Sequence, residues 1–372
     1  MTARRALAEH IAELRLVDNH MHGYWLTSGD RRQFENGLNE ANTEPLADFD
    51  SGFDTQLGFA VRAQCAPILG LTPHAEPLLY WERRSEHAAA ELAGVFLAAA
   101  GVSDWLVDTG LSADVAGPAE IAAASGSAAH EILRLEQIAE QAASAPGGYA
   151  DAFREILWRR ADGAVATKSV LAYRGGFDGD LSQPSQHEVA EAAVRWRAAG
   201  GVRLTDRVLL RFGIHEALRL GKPLQFHVGL GDRDCDLHRT NPMLLLDFLR
   251  HSGQTPVVLL HCYPYEREAG YLASAFNNVY LDTGLSINHL GARAGAFIAR
   301  ALELAPFRKI LYSSDAFGPP ELHYLGATLW RDGIASALAD FVDQGQWSAQ
   351  DAVRVASLIG RDNARRLYQL SE

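Results

Sequence analysis

Cysteine is scarce in this chain. Cys65, Cys235 and Cys262 are the whole complement, and no Cys-x-x-Cys pair is present. Three thiols cannot build a disulfide framework or a closed thiolate zinc site, so a reducing, cytoplasmic location is the default expectation. Long apolar runs are missing too. The opening Met-Thr-Ala-Arg-Arg-Ala-Leu-Ala-Glu-His is charged and helical, without the apolar stretch of a secretory signal, so no membrane partner is expected. Positive charge is in deficit, with 34 Lys and Arg against 46 Asp and Glu and a net charge of −12. That balance argues against nucleic acid and anionic membrane as partners and leaves a small-molecule substrate. No Gly-, Ser- or Pro-rich linker and no internal repeat divides the chain, which reads as one domain over 1–372.

What is present is alternation. Residues 2–15 read as a short amphipathic helix leading into a first strand, Arg15–His20. Further strands are expected at Val102–Gly110, Glu131–Glu136, Ala164–Leu171, Pro223–His227, Pro256–His261, Val279–Thr283 and Lys309–Asp315. Helical patterns fill the intervals: Gly117–Ala128, Ile138–Arg160, Gln186–Leu220 broken at Gly200-Gly201, Pro242–His251, Glu266–Phe276 and Ala292–Leu304. The tail, His323–Phe341 and Ala349–Leu370, is helical as well. Eight strands alternating with helices predict an α/β fold of the (β/α)8 TIM-barrel type. Such a barrel needs about 250 residues. The surplus falls in a helical insertion after strand 1, about 25–100, and in the extra C-terminal helices. A doubly wound dinucleotide sheet would need a Gly-rich turn after its first strand, and Asn19-His-Met-His-Gly-Tyr-Trp is not one.

Polar residues stand at nearly every strand end. His20 and His22, two residues apart on a strand, project to one face. Asp108, Glu136, Lys168, His227, His261, Asp282 and Asp315 end the later strands. In a (β/α)8 barrel these ends form the rim that carries active sites. One histidine there is more often a satisfied loop residue, but four histidines and an aspartate converging on one rim suggest a metal centre. Imidazole and carboxylate suit zinc, manganese or iron, and an open coordination position lowers the pKa of a bound water to about 7. Hydrolysis is the natural expectation. Lys168 stands apart, because an ammonium inside Val-Ala-Thr-Lys168-Ser-Val-Leu is costly to bury. It is either ion-paired, to Glu136 or Asp315, or snorkelling.

These motifs in this order resemble the amidohydrolase superfamily, with His20-Met21-His22 at strand 1, His227 at strand 5, His261 at strand 6 and Asp315 at strand 8. More narrowly, they resemble the branch that includes the N-terminal domain of nodulin-type glutamine-synthetase-fusion proteins. Lys168-Ser-Val-Leu-Ala-Tyr-Arg-Gly-Gly, Pro223-Leu-Gln-Phe-His-Val-Gly-Leu-Gly-Asp, Leu260-His-Cys-Tyr-Pro-Tyr-Glu-Arg-Glu-Ala-Gly-Tyr-Leu, Tyr280-Leu-Asp-Thr-Gly-Leu-Ser and Leu311-Tyr-Ser-Ser-Asp-Ala carry that likeness. The resemblance implies that His20, His22 and Asp315 hold one divalent ion, most simply Zn2+. His227 and His261 then bind a second ion, or His227 ligates and His261 acts in catalysis around a single one. Lys168 sits where binuclear members carry a carboxylated, bridging lysine. Carboxylation would turn the cation into an anion and remove the burial problem. Asp315 is then the general base.

Substrate donors are expected from the loops after the strands. Arg174 and Arg267 are preferred over Arg233 for a substrate carboxylate, with Tyr173 and Tyr265 as hydroxyls and Trp25 and Trp81 as an apolar wall. A loop salt bridge is the competing role for each arginine. The functional expectation is hydrolysis of an amide, ester or lactone bond in a small, carboxylate-bearing molecule. A single-ion non-oxidative decarboxylase, a sugar-acid isomerase and a non-catalytic binding module are the rivals. The segment Leu46–Ala100 offers either a lid or a contact in a homo-oligomer.

Overall fold

The computed structural model describes residues 3–111, 114–145 and 147–371. Eight parallel strands run in the order β1 (Leu16–Met21), β2 (Val102–Asp108), β3 (Ala128–Arg134), β4 (Ala164–Ser169), β5 (Leu224–Val228), β6 (Val257–His261), β7 (Val279–Asp282) and β8 (Ile310–Leu311). β1, β5, β6 and β8 are buried along their whole length, as strands covered on both faces must be. The barrel closes beyond β8. Asn19 N donates to Tyr312 O at 3.0 Å, Asp315 N to His20 O at 3.0 Å and His22 N to Ala316 O at 2.9 Å.

Two apolar layers hold this barrel. Inside, Val17, Leu106, Ile132, Ala166, Val258, Leu260 and Leu311 meet Ala364, Leu367 and Tyr368 of the C-terminal helix, which plugs the barrel. Outside, the strands pack on the surrounding helices through one continuous core. The Tyr368 hydroxyl donates to Asn19 Oδ1 at 2.9 Å and accepts from Gln225 Nε2 at 2.9 Å, so the plug also fixes polar residues beneath the rim.

Local chemistry moves several element boundaries from those expected. Gly126, at φ 65°, ends the helix Pro118–Ser125 early, so β3 begins at Ala128. Leu135 then starts the next helix, and Glu136 lies in its first turn rather than on a strand. Between 186 and 220 there are two helices, Gln186–Ala198 and Arg207–Arg219. Ser185 and Glu188 form a capping box on the first, and Asp206 caps the second. After β1 the chain runs through short helices at Arg31–Asn36, Gln56–Ala60 and Pro77–Ser85 before Ala89–Ala99 leads into β2. A buried ion pair anchors this excursion, with Arg84 Nε 2.6 Å from Glu321 Oε1 at the start of helix Pro320–Asp343.

Candidate metal centre

β1 carries its histidines in an unusual way. Val17 packs inside the barrel and Asn19 bonds inward to Tyr368, so strict alternation would turn His20 outward. The β1–β2 pairing shifts register between Asp18 and Met21, and His20 also points in. Its Nδ1 lies 2.8 Å from Gln225 Oε1. Gln225 is oriented by donating its amide N–H groups to Asn19 O and Tyr368, so the contact on His20 is a carbonyl oxygen. His22 Nδ1 lies 3.3 Å from the Asp108 backbone carbonyl. Both Nδ1 atoms therefore carry the proton, and both Nε2 atoms present lone pairs.

Those lone pairs face Asp315. Its Oδ1 is 3.1 Å from His20 Nε2 and 3.4 Å from His22 Nε2, and its Oδ2 is 3.3 Å from His261 Nε2. Lone pairs against a carboxylate repel unless a proton or a cation lies between them. Burial disfavours the proton, pushing His20 down to about 4 and His261 well below its usual range. His261 is fully buried with neither ring nitrogen hydrogen-bonded among the described residues, and Asp315 Oδ1 is likewise without a donor. Ligand atoms of His20, His22 and Asp315 all lie within 4.8 Å of one another. The donor set fits a divalent ion.

The backbone around these groups is held under strain. His261, Cys262 and Asp315 adopt left-handed φ values of 70°, 62° and 47°. Each such residue costs roughly 1–3 kcal/mol and persists only where neighbours fix it. Here the neighbours are buried carboxylates. Asp282 accepts from His261 N at 2.6 Å, Ser313 Oγ at 2.8 Å and Asn19 Nδ2 at 2.9 Å, tying β7 to β6, β8 and β1. Asp18 accepts from Ser314 N at 3.0 Å and from Ser314 Oγ at 2.5 Å, and burial pushes its carboxyl up to about 8. These two acids position the centre from below.

Lys168 on β4 reaches the same group. Its Nζ is 3.0 Å from His20 Nε2 and 3.8 Å from Asp108, while Glu136 instead accepts from Ser169 Oγ and Val170 N. The ion-pair partner is thus Asp108 rather than Glu136 or Asp315. Burial lowers the Lys168 pKa, against the pull of Asp108 and Asp315. Burial is the largest influence on Asp108 and raises its pKa, but Arg134, with Nη2 at 2.7 Å, together with His22, Lys168 and His20 outweighs it and holds the carboxylate low. His227 stands beside the group, its ring centroid 4.6 Å from that of His261 and its Nε2 3.1 Å from the Tyr173 hydroxyl. Burial pushes it down to about 3.

Above these side chains opens a cavity of about 730 Å3, lined by His22, Lys168, His227 and Asp315 below and by Trp25, Tyr173 and Arg174 at the sides. Arg174 lies on the 3-10 turn Leu171–Arg174. Its Nη1 donates to Tyr173 O at 3.2 Å, its buried Nε has no acceptor, and it forms no ion pair among the described residues. Arg267 and Tyr265 are not brought to the cavity. The first turn of helix Glu266–Ala275 aims Arg267 outward, where its Nε meets Glu303 at 2.7 Å, and the Tyr265 hydroxyl donates to Leu237 O at 2.9 Å on an exposed face. Arg233 pairs with Glu44 at the rim. Trp81 packs on Phe34 inside the insertion. Residues not singled out from the sequence also line the cavity, among them Glu40, Asp232, Arg134, Arg203, Asn288 and His289. His289, two residues past the Gly284-Leu-Ser-Ile run, is pushed down to about 4 by burial.

Comparison with known proteins decides the family. A family model described as amidohydrolase matches residues 136–370, more than half of the chain. The chain belongs to the amidohydrolase family. It has the metal-dependent TIM-barrel architecture of that family. A solved structure from Lactobacillus casei ATCC 334, described as a metal-dependent hydrolase, superposes with a TM-score of 0.85 at 28% identity, covering 98% of this chain and 97% of that one. Protein fluG of Emericella nidulans is 35% identical over 226 residues, which are 56% of this chain and 26% of that protein. The chain thus spans about a quarter of the length of that relative. Glucuronate isomerase from Caulobacter crescentus shares the fold, with a TM-score of 0.67 at 14% identity, covering 100% of this amidohydrolase and 94% of that protein.

Proposed function

We propose that this chain hydrolyses an amide, ester or lactone bond in a small, carboxylate-bearing molecule at the rim centred on Asp315. The observation that carries the reading is the meeting of the His20 and His22 Nε2 atoms with Asp315 Oδ1, which has no hydrogen-bond donor among the described residues. A divalent ion bound there, zinc by preference and manganese or iron by chemistry, supplies an activated water and polarises the scissile carbonyl. Asp315 takes the proton from the attacking water and delivers it to the leaving group, as its position among three imidazoles suits. His261 and His227 either hold a second ion or assist that proton transfer. Burial lowers the Lys168 pKa, which eases loss of the ammonium proton. Its Nζ attacks carbon dioxide, forming an N–C bond and losing one proton, and the resulting carbamate serves as an anionic ligand. Arg174 receives the substrate carboxylate, and Trp25 closes an apolar wall.

The whole of 1–372 acts as one domain in this reading, since the cavity takes residues from His22 to Leu322 and Tyr368 plugs the barrel. The setting is the cytoplasm and the partner a small molecule. No helix among the described residues is long and apolar enough to cross a membrane. The test is a panel of small amides, esters and lactones of carboxylic acids, assayed with the chain as purified, after chelation and after ion return. Turnover lost on chelation and restored by zinc or manganese is expected. Release of carbon dioxide without bond hydrolysis would replace this reading with decarboxylation.

A further inference from the structure

The cavity wall carries two carboxyl groups, Glu40 and Asp232, that have no ion-pair partner among the described residues. Glu40, delivered by the insertion after β1, lines it together with Asp232 from the loop after β5. Two neighbouring acids are paired, Asp234 with Arg203 at 2.7 Å and Glu44 with Arg233, and Glu140 accepts from Leu204 N. Glu40 and Asp232 form no ion pair with any described Lys, Arg or His. Burial pushes the Glu40 carboxyl up to about 8, the charges of Asp315 and Asp232 add to the rise, and Lys168 and the Tyr173 hydroxyl oppose it. Asp232 is raised by burial and Asp234, and eased by Arg203 and Arg174 at longer range. The Glu40 side chain is half-buried in the cavity wall, and its carboxylate form, disfavoured there without a counter-charge, is favoured by a cationic ligand. The ion at the barrel rim is not that ligand, because the compact donor group comprises His20, His22 and Asp315 without Glu40.

Arg174 offers the opposite charge on the same side of the cavity, with a buried Nε that lacks an acceptor. We propose that Glu40, backed by Asp232, binds the ammonium of the substrate while Arg174 binds its carboxylate, so that the substrate class is small zwitterionic, amino-acid-like amides or esters. The assignment rests on the hydrolase reading above for the bond that is cleaved. A zwitterion held by the β4–β5 side and the insertion leaves the Asp315 side of the cavity to the scissile carbonyl. A purely anionic substrate would add to the negative charge of Asp232 and Asp315 that already faces Glu40, and a neutral one would leave the Glu40 carboxylate form without a partner.

The test measures binding rather than turnover, so that it stands apart from the hydrolase reading. The metal-loaded protein is titrated calorimetrically with amino acids and their des-amino counterparts: glutamate and glutarate, alanine and propionate, phenylalanine and phenylpropionate. At least one amine-bearing member binds about 10- to 100-fold more tightly than its counterpart, and Glu40→Gln reduces that preference to within about threefold, as loss of one charge-assisted bond implies. Asp232→Asn reduces it partly, and metal content and melting temperature of both variants stay at the wild-type level. The proposal is overturned if no pair shows an amine preference or if the preference survives in Glu40→Gln. It is equally overturned if Glu40→Gln loses metal, which would make Glu40 an ion ligand. Absence of turnover on the amide and ester panel, with the amine preference intact, would count against the hydrolase reading alone.

Discussion

The two sides of the cavity are built differently. On the β1–β6–β8 side every candidate ligand is braced from behind: Gln225 holds the His20 ring, Asp282 holds the His261 backbone, and Asp18 holds Ser314 beside Asp315. These groups are buried on strand ends. On the β4–β5 side and in the insertion, Tyr173 and Arg174 sit on a 3-10 turn. Asp232, Asp234 and Arg203 sit on loops whose charges pair near solvent. Rigid elements fix reacting groups to the tolerance that chemistry needs, whereas loops can change without unfolding the scaffold. In the proposed function the braced side therefore carries the reaction, and the looped side selects the substrate.

Substitutions that cross this division should separate the two roles. The largest effect is expected for Asp315→Asn, which keeps the fold while turnover falls by about 10^2- to 10^4-fold, the usual contribution of a general base. Steady-state rates with circular dichroism check this, and near wild-type turnover would remove Asp315 as the base. Lys168→Ala should lower the ion content from about two per chain to about one, as a lost bridging ligand implies. Elemental analysis reads it directly, and an unchanged single ion would make the centre mononuclear.

On the looped side, Arg174→Ala should raise KM by about 10-fold or more with kcat less affected, the signature of a lost substrate contact. Arg267→Ala, which breaks only the exposed pair with Glu303, should change KM by less than about twofold. Reversal of that order would move the substrate carboxylate to the β6 loop.

The smallest effect concerns a brace. His323 donates from Nε2 to His22 O at 2.9 Å, and burial lowers its pKa from 6.5 to about 4. The unfolded chain therefore takes up a proton that the folded chain refuses as pH falls from 6.5 towards 4. Stability from the neutral ring is complete above 6.5 and declines through that window by up to about 1.4 kcal/mol per pH unit. His323→Gln lacks this titration, so the stability gap between wild type and variant should narrow by about 1–2 kcal/mol between about pH 7 and about pH 5. Urea unfolding at the two values checks the sign, and a widening gap would contradict it.

The strand-end residues, those of the braced side together with Lys168 on β4 and His227 on β5, were the legible ones. His20, His22, His227, His261 and Asp315 end apolar runs, and in a parallel barrel the run ends are the rim, so order along the chain was enough to assemble them. Lys168 stands out further, since the chain has three lysines and the other two, Lys222 and Lys309, donate to backbone carbonyls. The looped side was read poorly for a physical reason. Arg267 is close to His261 in sequence, but the first turn of its helix faces away from the rim, and no periodicity of a few residues specifies that rotation. Glu136 looked like a strand end because Gly126 shifts β3 towards the N-terminus. Glu40 could not have been found by pattern. Its place depends on how Phe34, Phe53 and Tyr80 stack and on the Arg84–Glu321 pair hundreds of residues apart in sequence.

The central claim is that the Nε2 atoms of His20 and His22 and the carboxylate of Asp315 share an ion. An anomalous-scattering map from crystals grown with zinc tests it most directly. An ion about 2.0–2.2 Å from both Nε2 atoms and from an Asp315 oxygen is expected, with carboxylate density extending from Lys168 Nζ towards it. Zinc bound elsewhere, with His20 Nε2 still hydrogen-bonded to an unmodified Lys168, would contradict it.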